Sequence, residues 1–122
     1  MNFDDIIIFR DSIDLRNINE IAKNTFGEMA KAVIDIERKI IAIGGELHAD
    51  AENILLEDGS KQANLWGINL YPEKHDEDLV QYHSLINVRP LVGNRSQEIE
   101  DPAIRRKIYQ LITEMLSRKA KK

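Results

Sequence analysis

The sequence predicts an α+β fold: an antiparallel β-meander with N-terminal and C-terminal helices packed on one face. Three observations carry this. A helical stripe of apolar residues runs from Leu15 to Ile43. A strictly alternating run, Glu46 to Glu52, leads through Asp58-Gly59 into the β-rich stretch Asn64 to Tyr71. Finally, Asp101-Pro102 opens a second amphipathic segment. Helices on one face of an antiparallel sheet leave the other face to water.

Taken in order, Ile6-Ile7-Ile8-Phe9 is a short apolar run of the kind that forms a buried strand. Asp11, Ser12 and Asp14 follow as N-cap candidates, because their short side-chain oxygens can accept from the first free amides of a helix. Leu15, Ile18, Ala22, Phe26, Met29, Val33, Ile36, Ile40 and Ile43 then recur every three or four residues, the period of one helix face. Gly27 divides the stripe into a helix near 14–26 and another near 28–43, and Gly44-Gly45 reads as its left-handed stop. Alternation from Ala32 to Glu37 points to a strand instead, but the continuous stepping favours the helix.

Glu46 to Glu52 reads as a strand with Leu47, Ala49 and Ala51 on one side and Glu46, His48, Asp50 and Glu52 on the other. Gly59 suits the turn that follows, and Asn64 to Tyr71 returns as a second strand until Pro72, which has no N–H for a ladder. The rival is a short helix from Ala49 to Asp58 stopped by Gly59; the clean alternation favours the hairpin. Glu73 to Asp78 is a charged connector, Leu79 to Arg89 a third strand ended by Pro90, and Leu91 to Ser96 a polar loop. Asp101 as N-cap and Pro102 at the first helical position start the last helix, which buries Ile104, Ile108, Leu111, Ile112 and Met115.

The 122 residues form a single domain, 1–122, with a flexible basic tail at about 119–122. The absence of cysteine excludes disulfides, thiolate metal sites and a Cys nucleophile. Acids stand where a signal peptide needs bases, and no apolar run approaches the roughly 18 residues of a membrane span, so a cytoplasmic protein without membrane contact is expected. The net charge of −4 is uneven: from Glu100 onward seven bases face three acids. A basic last helix in an acidic whole is most simply a solvated face, and nucleic acid is not an expected partner.

The polar members of the three strands would share the open sheet face. Such a face is often merely solvated. However, Gly67, Asn69 and Asn87 are poor strand formers, and Arg89, Asn94 and Arg95 place a dense set of donors beside a Gly turn. The ligand-binding candidates are therefore His48, Asp50, Asn69, Asn87, Arg89, Asn94 and Arg95, with the arginines supplying charge and the others orientation. An alternative is a metal-dependent hydrolase in which Glu46, His48 and Asp50 hold a divalent cation that activates water. No P-loop, dinucleotide fingerprint or nucleophile elbow is present.

FGEMAKAVIDIE, GGELHADAE, LLEDGS, LWGINLYP, SLINVRP, GNRS and DPAIRRKI, from Phe26 to about Ile108, resemble a family of short prokaryotic proteins classed only as a domain of unknown function. The resemblance implies a small free-standing protein and no particular activity, cofactor or partner. The expectation is a binding module for a small anionic or polar ligand or a partner protein. A third alternative is an oligomerisation or toxin–antitoxin-like module, which would make the chain a homo-oligomer.

Overall fold

The computed structural model describes residues 6–119, so the end of the expected basic tail lies outside the described residues. Five strands form one antiparallel sheet in the order β1-β3-β2-β4-β5: β1 (Ile7–Phe9), β2 (Ala30–Asp35), β3 (Ile40–Ile43), β4 (Leu65–Leu70) and β5 (Val80–Gln81). Three helices join them: α1 (Leu15–Lys23), α2 (His48–Glu57) and α3 (Pro102–Lys119). The class is α+β, as the sequence indicates, and helices from both ends of the chain cover one face. Ile18, Ile21 and Ala22 of α1 and Ile108, Leu111, Ile112 and Met115 of α3 pack there against Ala32, Ile34, Ile41, Ile43, Trp66, Ile68 and Leu70. Each fully buried Ile or Leu contributes about 1.5–3 kcal/mol of transfer free energy.

The opposite face is not the open polar surface expected. There α2 lays Ala51 and Leu55 on Val33, Ile40, Ala42 and Leu65. The stretch read as the first meander strand, Glu46 to Glu52, is thus the entry to a helix, and the rival helical reading is the correct one. Gly44 and Gly45, at φ 125 and 80, turn the chain out of β3 instead of ending a helix. The helix closes on Gly59 at φ 108, with the Ser60 amide donating to the Leu55 carbonyl at 2.9 Å.

The stripe beyond Gly27 is a hairpin, not the second helix expected near 28–43. Strand β2 lies in the centre of the sheet, with Val33 opposite both Ala42 and Gly67. A strand covered on both faces reads as a continuous apolar run, which mimics a helical stripe. Asp35 sets the turn: its Oδ1 accepts from the Glu37 and Arg38 amides at 2.9 Å each, and Lys39 takes φ 61. The third expected strand, Leu79 to Arg89, shrinks to Val80–Gln81 and continues as short 3-10 turns at Leu85–Asn87 and Pro90–Val92.

Asp58, the C-cap of α2, ties three elements together. It accepts two hydrogen bonds from Arg10 after β1, at 3.0 and 2.7 Å, and one from Arg38 of the β2–β3 turn at 2.8 Å. The Arg10 hydrogen bond, followed by that of Arg38, lowers its carboxyl to about 2.

Candidate functional site

The in-strand Asn and Gly residues mark a place where a side chain replaces a strand. Strand β5 pairs only with Asn69 and Leu70, which leaves the outer edge of β4 uncovered from Leu65 to Ile68. Asn87 covers it: its Oδ1 accepts from the Gly67 amide at 2.8 Å, and its Nδ2 donates to the Gly67 carbonyl at 3.0 Å. The close approach requires glycine, because a Cβ at position 67 would lie 2.5 Å from the Ser84 Cβ. Arg89 donates to the Leu65 and Ile86 carbonyls and lies 4.9 Å from the centre of the Trp66 ring, with Glu52 at 3.8 Å. Asn94 donates to the carbonyls of Asn87, Ser96 and Glu98 and accepts from the Glu100 amide. The side chains of Asn87 and Asn94 are therefore engaged with backbone, as are Nε and Nη2 of Arg89, whose buried Nη1 has no hydrogen-bond partner among the described residues. Arg95 is exposed on the same loop.

His48 and Asn69 do meet, although by a route the sequence reading did not foresee. His48 is the first residue of α2 and is buried; its Nε2 donates to the Ile68 carbonyl at 2.8 Å. A carbonyl only accepts, so Nε2 carries the proton and Nδ1 is the basic nitrogen. Burial, opposed by the Ile68 hydrogen bond, lowers the imidazole to about 4. Asn69 donates through Nδ2 to Gln81 at 2.8 Å and to the His83 carbonyl at 3.3 Å, while its buried Oδ1 has no partner. Asp50 and Glu46 do not join them. On a strand the three would share a side, but here Glu46 precedes α2 and is exposed, while Asp50 sits half-exposed in its first turn. Among the described residues no group of three or more His, Cys, Asp or Glu side chains could hold a metal ion.

A different surface gathers side chains suited to binding. Between α3 and the outer edge of β5 lies an open groove of about 900 Å³, within the range of small-molecule sites. All three tyrosines of the chain, Tyr71, Tyr82 and Tyr109, line it together with Lys74, Arg105 and Arg106. Asp101 starts α3 by accepting from the Ala103 amide at 2.8 Å. The helix then presents Pro102, Arg105, Arg106, Tyr109 and Gln110 to the groove at three- and four-residue spacing, beside its apolar face. The other wall exists because the chain beyond β5 pairs with a later segment: the Ser84 amide donates to the Gln97 carbonyl at 3.0 Å, and the Ile99 amide to that of Tyr82 at 3.1 Å.

The groove charges are ordered. Arg105 lies 5.1 Å from the centre of the Tyr82 ring and donates to Glu98 at 3.3 Å and to the Ile99 carbonyl. Glu98 also contacts the Nδ1 of His83, so both its oxygens are taken. Lys74 stands 4.6 Å over the Tyr71 ring. Among the described residues, Lys74 and Arg106 pair with no carboxylate. Tyr82 is half-buried, and that burial raises its phenol above the ordinary value. None of these groove residues is among the ligand-binding or metal candidates named from the sequence. The spacing 102, 105, 106, 109, 110 was the signal available, but it lay within a helix read as a solvated basic face.

A model of the family described as a protein of unknown function, DUF5674, matches residues 7–115. The chain belongs to the DUF5674 family. No curated protein and no solved structure matches it. The DUF5674 match spans the whole groove, from Tyr71 to Gln110, as well as His48 and the loop that covers β4.

Proposed function

We propose that this DUF5674 protein is a small binding module whose site is the tyrosine-lined groove between α3 and β5, and that its ligand is polar and anionic. The observation that carries the reading is the convergence of three tyrosine rings with two cations, Lys74 and Arg106, that pair with no carboxylate among the described residues. Aromatic rings offer flat apolar faces, and a guanidinium without a partner offers a planar set of donors to an anion. A thermal-shift screen of small anions against the intact chain tests it. Ligand at about 100 times its dissociation constant should stabilise by about 2.7 kcal/mol. Arg106→Glu should abolish that shift without altering the unliganded melting temperature, since Arg106 is exposed. An undiminished shift in that variant would place the site elsewhere.

No helix among the described residues is long and apolar enough to cross a membrane. A cytoplasmic setting is part of the proposal, and cell fractionation checks it. Association with a partner protein or a second copy is supported by a separate observation: Leu85, Val88, Leu91 and Val92 are exposed on the loop that Asn87, Arg89 and Asn94 hold in place. Leu91→Asp would then weaken association measured by light scattering.

A further inference from the structure

We infer that the groove takes a nucleoside 5′-monophosphate, an inference that rests on the groove being a ligand site. The three chemical features of such a ligand each find a wall group with no partner of its own. The faces of Tyr71 and Tyr82 are already approached by Lys74 and Arg105, at 4.6 and 5.1 Å, whereas among the described residues no cation stands over Tyr109. Tyr109 packs against the core while also lining the groove, so the part of its ring turned to the groove is the surface left for a flat base. Arg106, three residues earlier on α3, is the guanidinium open to a phosphate, and its fork suits two of the oxygens. Side chains three apart on a helix stand about 5–6 Å apart. A phosphate fixed directly to the ring would be too close to use both, and a ligand with a sugar between ring and phosphate spans the gap.

The carboxylates decide what lies between and how much charge the site accepts. Both oxygens of Glu98 are engaged with His83 and Arg105. Glu77 and Asp78 line the groove unpaired among the described residues. Carboxylates only accept, so they call for hydroxyl donors, which a ribose supplies. Lys74 and Arg106 are balanced in number by Glu77 and Asp78, so the groove has no surplus positive charge and favours the ligand with the fewest phosphates. A triphosphate or a polynucleotide strand would bring charge against Glu77 and Asp78 that the groove does not neutralise.

The test is isothermal titration of the intact chain with AMP, GMP, CMP and UMP, and with adenosine, ribose 5-phosphate and ATP as controls. At least one monophosphate should bind, with the matching nucleoside and ribose 5-phosphate each about tenfold weaker or more, and ATP no tighter. Arg106→Gln should weaken the monophosphate about tenfold and leave the nucleoside unchanged. Tyr109→Leu, which keeps the apolar volume, should weaken both. A nucleoside that binds as well as its monophosphate would overturn the phosphate assignment while leaving the groove reading standing. The same holds if no nucleotide binds but another anion gives an Arg106-dependent shift. Monophosphate binding that ignores both substitutions would place the site off the groove and overturn both.

Discussion

The buried imidazole of His48 makes the stability of this fold depend on pH in a way that can be calculated. In the folded chain the ring is held neutral, with Nε2 donating to the Ile68 carbonyl at 2.8 Å. Its folded value of about 4 stands below the ordinary 6.5, chiefly because burial penalises the charged form. In the unfolded chain the ring takes up a proton below 6.5, whereas in the folded chain it does not until about 4. The stabilising contribution of a neutral His48 is therefore fully present above 6.5, is lost as pH falls between the two values, and stops changing below the lower one. At about 1.4 kcal/mol per pH unit this amounts to about 3 kcal/mol. Domains of this size are stable by about 5–15 kcal/mol, so the loss is large enough to measure. His48→Gln keeps an amide donor for the Ile68 carbonyl but does not titrate. Urea unfolding of both proteins across this range cancels the carboxylates they share. The difference in stability between them should fall by about 3 kcal/mol from above pH 6.5 to about 4. A difference that stays flat would show that the ring is not held neutral in the folded chain and would refute the reasoning.

Three further outcomes follow from the same packing. Asn87→Ala leaves the Gly67 amide and carbonyl without partners, and urea unfolding should show a loss of about 2–4 kcal/mol. Gly67→Ala drives a Cβ to within 2.5 Å of the Ser84 Cβ and should cost about 1–3 kcal/mol in the same assay. Asp58, held at about 2 by Arg10 and Arg38, contributes stability above 3.8 that is lost as pH falls toward 2, so Asp58→Asn should flatten the acid limb of the melting-temperature profile in that window.

What the sequence made legible was local. Asp14 and Asp101 cap their helices as their side chains suggest, accepting from the amides two residues on at 2.9 and 2.8 Å. The strand at Leu65–Leu70 and the apolar face of α3 follow directly from residue type and period, as does a strand before Arg10, although it lies at the sheet edge with Ile7 exposed instead of buried. The β2–β3 hairpin did not, because apolar residues on both buried faces continue the three- and four-residue stepping and outweigh the alternation from Ala32 to Glu37, and the turn depends on a lysine at φ 61. For α2, the alternation of Glu46, His48, Asp50 and Glu52 imitated a half-buried strand, although Glu46 precedes the helix and His48 and most of Glu52 are buried in it. The odd residues of β4 were a true signal, read for the wrong purpose: Gly67 and Asn87 show where an amide side chain stands in for a missing strand. The groove was hidden because Tyr71, Tyr82 and Tyr109 lie on three segments that only the tertiary fold brings together.

An amide NMR titration shows whether the groove between α3 and β5 is the ligand site. With AMP as the first probe and a panel of small anions behind it, saturable shifts should be confined to Tyr71, Gln81, Tyr82, Glu98 and residues 105–110. Saturable shifts centred instead on Asn87, Arg89, Asn94 and Arg95 would contradict it and return the site to the loop that covers β4.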